Sequence, residues 1–178
     1  MIRRFQPDDA QGTWDVFFAA VRIGAAGHYA AQELIDWVPS DQMPVDWGDW
    51  LDRNITYVGV SDTAVGFSDN SVKSVGLPDN TVTGFFMLER DGYLNMAFVR
   101  PDLRRSGLAQ QIYAIILADA QALRLPRLTV WASRLAMPFF RWAGWVDDPD
   151  PPPRDPHPIP SNSPQPIEWA LKLDLNHD

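Results

Sequence analysis

Hydrophobic residues in the first fifty positions recur mostly at intervals of three or four, the spacing of a helix that buries one face. Trp14, Phe17 and Val21 form one such series, which starts after Pro7 and stops before Gly24. The pattern therefore predicts three helices in this part of the chain, one between Pro7 and Gly24, one at residues 30–37 and one at residues 45–53.

Short runs of alternating or continuous hydrophobic residues predict strands in the rest of the chain. The dipeptide Asp91-Gly92 between two of these runs is typical of a tight hairpin turn. Helical spacing returns from Leu108 onwards, and two further helices are predicted, at residues 110–123 and 135–142. The predicted strands occupy residues 2–6, 55–60, 81–89, 93–99, 128–133 and 167–173.

The order of these elements is strand, helices, three antiparallel strands, helix, strand, helix and strand. It indicates a mixed α/β fold with a mostly antiparallel sheet and flanking helices. At 178 residues the chain suits a single domain with a substantial core. Two segments lack a regular pattern. Residues 61–80 predict a long loop or a weak extra hairpin, and residues 147–166 contain nine prolines, which disfavour a regular strand.

Charge is distributed unevenly along the chain. The formal net charge is −8, but residues 100–141 hold seven arginines against two aspartates, a local net charge of +5. The overall acidity argues against a nucleic-acid partner, whereas the basic segment suits a local polyanion site. Zero cysteines exclude disulfides and thiol nucleophiles. With no apolar run of membrane-spanning length and no signal-peptide pattern, we expect a cytoplasmic protein without membrane contact.

The basic segment begins with a loop that is suited to binding an anion. This loop, residues 100–109, runs from the strand predicted at 93–99 into the helix predicted at 110–123. Backbone N–H groups and the helix dipole make such a helix start attractive to phosphate. The loop lacks the Gly-Lys-Ser/Thr ending of a nucleotide P-loop, so ATP is not favoured.

The spacing Arg104-x-x-Gly107-x-Ala109 resembles the Arg/Gln-x-x-Gly-x-Gly/Ala signature of the GNAT superfamily of N-acetyltransferases, in which this loop grips the pyrophosphate of acetyl-coenzyme A. A second family pattern, Asn-x-x-Ala-x-x-x-Tyr-x-x-x-Gly-Phe, is matched in spacing downstream. The aligned residues are Ser133, Ala136, Phe140, Gly144 and Trp145. The pair His28-Tyr29 also resembles a His-Tyr pair found in a branch of small acetyltransferases of this superfamily.

The resemblance implies a sheet in which the strand ending at Val99 splays away from the next strand, with the pantetheine arm between them. Phe98 and Val99 would then offer backbone groups to that arm, which is a preorganised way to stabilise charge on the thioester carbonyl. Ser133 and Phe140 would lie beside the cofactor. The pyrophosphate would be held by the residues of the loop, namely Arg104, Arg105, Ser106, Gly107, Leu108 and Ala109.

Acetyl transfer requires a neutral amine, and deprotonating a lysine-like amine at pH 7 costs about 4.6 kcal/mol. The Glu that serves as base in several family members aligns with Tyr93, and Asn95 follows on the same strand face; neither residue is a base. Glu89 and His28 are the remaining catalytic candidates, with Asp36 as a further carboxylate. His28 also belongs to a predicted acceptor pocket, together with Tyr29 and Trp37.

Phe140 takes the place of a Tyr that protonates the departing thiolate in many members. The loss is small because a thiol with a pKa near 8.5 is a good leaving group. The sequence therefore predicts a GNAT-type N-acetyltransferase that moves an acetyl group from acetyl-CoA directly to a small amine in a ternary complex, without a metal. A non-catalytic acyl-CoA-binding module, O-acetylation, a longer acyl donor and a homodimer stay open.

Overall fold

The computed structural model describes residues 1–61, 77–151 and 168–175. Among these residues, helices follow the segments in which hydrophobic side chains recur every three or four positions. They are α1 (Ala10–Arg22), α2 (Ala31–Trp37), α3 (Trp47–Arg53), α4 (Leu108–Ala122) and α5 (Met137–Trp142). The strands are β1 (Ile2–Arg4), β2 (Ile55–Val60), β3 (Val82–Leu88), β4 (Leu94–Val99), β5 (Arg127–Ser133), β6 (Val146–Asp147) and β7 (Glu168–Asp174).

The strands form two antiparallel groups. One group has the order β1-β2-β3-β4 and the other has the order β5-β7-β6. The groups meet at a parallel bridge between Tyr93 and Thr129, where the Thr129 N–H donates to the Gly92 carbonyl at 3.0 Å. This is the mixed, mostly antiparallel arrangement that the sequence predicts.

Alternation along β3 divides the core between the two faces of the sheet. Phe85 and Met87 belong to a cluster that packs under α1, α2 and α3, whereas Phe86 and Leu88 belong to a cluster under α4 and α5. We call these the α1 face and the α4 face. All four side chains are at most 2% exposed, so β3 is the buried centre of the first strand group.

The predicted helices and strands are confirmed, and those predicted with numbered bounds agree to within two residues at each end. One strand, β6, was not predicted. It ends at Asp147 because Pro149 and Pro151 follow, and proline cannot donate to a strand ladder. The predicted loop at residues 61–80 and the proline-rich segment at 147–166 lie largely outside the described residues.

Candidate functional site

β4 and β5 separate from each other beyond the Tyr93–Thr129 bridge. Within the described residues, no other backbone pairing joins these two strands. Both strands run in the same direction from this point, and among the described residues they are unpaired with each other towards Val99 and Ser133. We call this gap the strand opening. It is the splayed geometry that the family resemblance implies.

The closed end of the opening depends on Gly92. Its φ of +97° lies in the left-handed region, which glycine adopts readily. A Cβ at this position would lie 2.5 Å from the carbonyl oxygen of Arg127, at the start of β5. Only glycine therefore allows the β3–β4 turn to approach β5 closely enough for the Tyr93–Thr129 bridge to form.

The backbone of β4 presents alternate residues to the opening. The Arg100 N–H donates to the Thr83 carbonyl at 2.9 Å, so Arg100 forms a hydrogen-bonded pair with this residue of β3. Hydrogen-bonded and non-hydrogen-bonded pairs alternate along an antiparallel ladder. The backbone groups of Phe98 are therefore directed to β3, whereas the amides and carbonyls of Ala97 and Val99 point into the opening. Of the two residues that the sequence indicated, Val99 turns its backbone groups to the opening, whereas Phe98 turns them to β3.

The Phe98 side chain lies on the α1 face. Its ring meets that of Phe17 edge-on, with the centroids 4.9 Å apart, and lies 5.9 Å from that of Phe85. Phe98 thus fixes α1 against β4 through its side chain. Phe98 therefore affects the opening indirectly, because its packing against α1 and β3 fixes the position of β4.

The loop before α4, residues 104–109, which we call the cradle, has a backbone geometry that is suited to an anion. Arg105 and Gly107 both have positive φ, +62° and +86°, which turns successive backbone N–H groups towards one side. The first helical bond runs from the Gln111 N–H to the Gly107 carbonyl at 3.1 Å, and the Leu108 N–H donates to the Ser106 hydroxyl at 3.4 Å. Within the described part of the chain, four other N–H groups have no hydrogen-bond partner, those of Arg105, Gly107, Ala109 and Gln110.

The guanidinium of Arg104 turns away from the cradle. Its Nη1 donates to the carbonyl of Gly24, after α1, at 2.6 Å. Burial of this guanidinium lowers the pKa of Arg104, and no carboxylate among the described residues forms an ion pair with it. Arg104 and Arg105 are both exposed residues, but only the Arg104 guanidinium is bonded to the Gly24 carbonyl.

Polar side chains gather on the α1 face beside the closed end of the opening. The Asn95 amide donates to Oε1 of Glu89 at 2.6 Å. Asn95 is the extra residue of a bulge, since Leu88 pairs with Leu94 and Met87 with Met96. The Glu89 N–H donates to the Tyr93 carbonyl at 2.8 Å, which brings the third predicted catalytic residue beside this pair. The three residues are all partly buried.

β5 contributes a residue that the sequence analysis missed. Leu128, Val130 and Ala132 are buried on the α4 face, so Thr129, Trp131 and Ser133 project on the α1 face. Trp131 lies two residues beyond the bridge to Tyr93 and is partly buried. The hydrophobic residues Leu128, Val130 and Ala132 alternate along this strand, and that spacing was the signal that could have placed Trp131 on the opposite face.

Two of the three predicted acceptor-pocket residues, Tyr29 and Trp37, pack against each other, and the third, His28, is exposed. Tyr29 is 7% exposed, and its ring meets that of Trp37 edge-on at 5.7 Å. The hydroxyl of Tyr29 accepts the Arg134 N–H at 2.8 Å. The His28 side chain is exposed, and Asp36 accepts the Gln32 amide at 2.8 Å on the surface of α2.

Phe140 lies in the core of the α4 face. Its side chain is 1% exposed, and its ring packs at 5.0 Å against that of Trp145. The Trp145 Nε1–H donates to the hydroxyl of Tyr113 at 2.9 Å, and burial raises the pKa of Tyr113. Ser133 accepts the Ala136 N–H through its hydroxyl at 3.2 Å, and so supports the turn that begins α5.

No cluster of three or more His, Cys, Asp or Glu side chains in the described residues is placed to hold a metal ion. In those same ranges, no helix has both the length and the apolar character that a bilayer crossing requires.

Known proteins share both the sequence pattern and the fold. A family profile described as an acetyltransferase (GNAT) domain matches residues 67–155, half of the chain. The chain is 27% identical over 144 residues to the uncharacterized N-acetyltransferase YafP of Escherichia coli, covering 81% of this chain and 79% of that protein.

Solved structures of the same fold extend over nearly all of the chain. A GCN5-related N-acetyltransferase from Rhodopseudomonas palustris superposes with a TM-score of 0.75 and 20% identity, covering 98% of this chain and 95% of the other. The PaiA N-acetyltransferase of Thermoplasma acidophilum, solved with coenzyme A, has a TM-score of 0.64 and 11% identity, covering 98% of each chain. YncA of Salmonella typhimurium, solved with acetyl-CoA, has a TM-score of 0.59 and 13% identity over 100% of this chain and 95% of the other. The chain belongs to the GNAT acetyltransferase family.

Proposed function

We propose that this chain transfers an acetyl group from acetyl-CoA directly to the amine of a small acceptor, with both substrates bound together. The observation that carries the proposal is the cradle before α4 at the open end of two diverging strands. The related folds of PaiA and YncA were solved with coenzyme A and acetyl-CoA respectively, which supports the same ligand class here.

The residues of the site fit a coenzyme A thioester. The cradle offers several unpartnered N–H groups to a diphosphate, and a Cβ at Gly107 would project into open space 3.8 Å from the Gln111 amide, where it would obstruct the approach of a ligand to the backbone. In the opening, Ala97 and Val99 present amides and carbonyls with the spacing of a strand, suited to the amides of a pantetheine arm.

Acetyl-CoA supplies the activated acetyl group, and the chain orients it and polarises its carbonyl. Backbone N–H groups of β4 act on the thioester oxygen without moving during the reaction, which is the most effective form of charge stabilisation. The chain contains no cysteine, so a cysteinyl acyl-enzyme is excluded and the amine attacks the thioester directly.

Glu89 is the best-placed base for the acceptor amine. Its carboxylate lies on the α1 face and is held by Asn95 at the β4 bulge, the point where that strand leaves its regular register. A carboxylate there can take the proton that the ammonium form of the acceptor must lose, directly or through a water molecule. Asn95 has no basic group and acts as a positioning residue.

The acceptor side of the molecule carries negative charge. Residues 1–61, which include all three helices of the α1 face, hold nine acidic residues against four arginines, a formal net charge of −5. This field favours a cationic acceptor, such as a small molecule with two amines. The cofactor side, with its net charge of +5 in residues 100–141, complements a polyanion instead.

A non-catalytic acyl-CoA-binding module is the alternative that specific residues favour. Tyr93 stands where family members have a catalytic Glu, and Phe140 is buried and carries no hydroxyl. Both substitutions remove proton-transfer groups while leaving the cradle and the opening intact.

Thiol release from acetyl-CoA distinguishes the two functions. The protein is incubated with acetyl-CoA and a panel of diamines, monoamines, amino acids and alcohols, and free coenzyme A is measured. We expect release that depends on a cationic amine, with the acetylated product confirmed by mass spectrometry. Tight binding of acetyl-CoA without release on any acceptor would support the module, and release with alcohols alone would indicate O-acetylation.

A further inference from the structure

The loop between α1 and α2 crosses the open end of the strand opening. We call its residues 23–30 the arch. Ala25 and Tyr29 are buried in the core of the α1 face, whereas Ala26, Gly27 and His28 are exposed between them. Five backbone bonds shape the arch, and their donors are the N–H groups of Ile23, Gly24, Ala25, Ala26 and His28.

Arg104 holds the first end of the arch. Its Nη1 donates to the Gly24 carbonyl at 2.6 Å, across 80 positions of sequence. A Cβ on Gly24 would lie 2.2 Å from Nη2 and 3.0 Å from Cζ of this arginine. The guanidinium therefore packs directly on the glycine backbone, and a larger residue there would displace it.

Arg134 holds the second end of the arch. Its Nη1 donates to the His28 carbonyl at 3.0 Å, and its backbone N–H donates to the Tyr29 hydroxyl at 2.8 Å. The guanidinium also lies 5.2 Å from the centroid of the Tyr29 ring, within the range of a cation–π interaction. Three contacts from one residue thus meet two neighbouring residues of the arch.

The two arginines come from opposite sides of the opening. Arg104 follows β4 by way of the turn at Pro101–Leu103, and Arg134 directly follows β5. These strands pair only at the Tyr93–Thr129 bridge among the described residues, so their far ends are tied to each other through the arch. The loop that follows β4 and the end of β5 are thereby connected through contacts with the arch.

We propose that Arg104 and Arg134 are positioning residues that hold the arch across the strand opening, so that it forms the wall against which the acceptor amine binds. The role at an acceptor site rests on the proposed acetyl transfer. The mechanical part, two arginines fixing one loop, concerns the protein alone. Neither guanidinium touches a reacting atom in this account.

Hydrogen–deuterium exchange of the full chain without ligands tests the mechanical part. Arg104→Gln and Arg134→Gln should each exchange the arch amides about tenfold faster than the wild type, equivalent to about 1.4 kcal/mol and near the lower end for a hydrogen bond to a charged group. Amides of β2 and β3 should be unaffected. Arg53→Gln is the matched control, because Arg53 bonds only the exposed end of α3 within the described contacts.

Steady-state kinetics with the amine identified by thiol release tests the functional part. Arg134→Gln should raise the acceptor KM about tenfold and change the affinity for acetyl-CoA less than twofold, and Arg134→Lys should restore part of the loss because it keeps the charge over Tyr29. A general loss of folding would instead lower kcat, cofactor affinity and thermal stability together.

The outcomes separate this inference from the proposed function. Unchanged arch exchange in both glutamine variants, or an equal change in Arg53→Gln, would overturn the positioning role whatever the activity. Faster arch exchange with an unchanged acceptor KM would overturn the acceptor-wall assignment. Faster arch exchange without acetyl transfer to any amine would leave the mechanical role standing and refute the proposed function.

Discussion

Replacing Gly92 by alanine tests the geometry that brings β4 and β5 together. The left-handed φ of +97° alone costs a non-glycine residue about 1 kcal/mol. The new Cβ would also lie 2.5 Å from the Arg127 carbonyl oxygen, about 1 Å inside ordinary contact, and overpacking of this kind costs about 1–3 kcal/mol. We therefore expect Gly92→Ala to lower the free energy of unfolding by about 2–4 kcal/mol.

A chain of 178 residues loses roughly 2–4 °C in Tm for each kcal/mol. Gly92→Ala should accordingly melt roughly 4–16 °C below the wild type, as measured by circular dichroism. Because the turn must move away from β5, the Thr129–Gly92 bond should weaken and the affinity for acetyl-CoA should fall as well. The affinity is measured at a temperature where the variant is fully folded.

Gly144→Ala is the matched control for this experiment. Gly144 follows α5 with a φ of +90°, and a Cβ there meets no atom within 4 Å. This variant carries the backbone cost without the close approach, so its Tm should fall by only roughly 2–4 °C and its cofactor affinity should be retained. Equal destabilisation of the two variants would show that the approach of Arg127 is unimportant, which refutes the reasoning.

Three other variants test separate parts of the site. Glu89→Gln should lower kcat about 10²–10⁴-fold, the usual contribution of a general base, while acetyl-CoA binding measured by calorimetry is retained; an unchanged kcat would exclude Glu89. Trp131→Ala should raise the acceptor KM and leave cofactor affinity unchanged, and a selective loss of cofactor affinity would contradict its placement on the α1 face. Tyr113→Phe should lower stability by about 1–3 kcal/mol at pH 7, because the buried Trp145 N–H loses its acceptor. Since burial raises the Tyr113 pKa, wild-type stability should fall as the pH rises above about 10, and urea unfolding should show a smaller fall in Tyr113→Phe.

Local patterns predicted the elements of this fold well because each element has its own periodicity. The run Ile55–Val60 has the β-branched residues of a buried strand, and the helical spacing from Leu108 marks α4. The glycine turn before α4 was also predictable, since Gly107 and the helix start after it are neighbours in sequence. Such features depend on residues only a few positions apart.

Contacts between distant segments were outside the reach of these patterns. Arg104 was assigned to phosphate from its position in a loop, but its guanidinium reaches a carbonyl 80 positions away. The hydrogen bond from Arg134 to the His28 carbonyl spans 106 positions, and such a contact leaves no periodic signal in the sequence. Trp131 was missed for a different reason: the spacing of hydrophobic residues in β5 indicates its face, but nothing in the sequence shows that Thr129, two residues earlier, bridges to Tyr93.

Phe140 shows how a matching spacing can carry a different environment. Its place in the downstream motif predicts a side chain beside the cofactor, and the structure surrounds it with core residues, chiefly Trp145. Without the hydroxyl that family members have at this position, the side chain gains more from burial than from a polar cleft. The motif therefore predicts the position of the helix better than the chemistry of the residue.

Titration of the full chain with acetyl-CoA by calorimetry tests the central claim, that the cradle before α4 holds the acetyl donor. Wild type, Gly107→Glu and Gly144→Glu are compared, since both glycines have positive φ and open space but only Gly107 lies in the cradle. We predict one binding site in the wild type, similar affinity in Gly144→Glu, and affinity lowered by more than about tenfold in folded Gly107→Glu, because its side chain brings a carboxylate into an anion site. Equal affinity in all three proteins, or no binding by the folded wild type, would contradict the account.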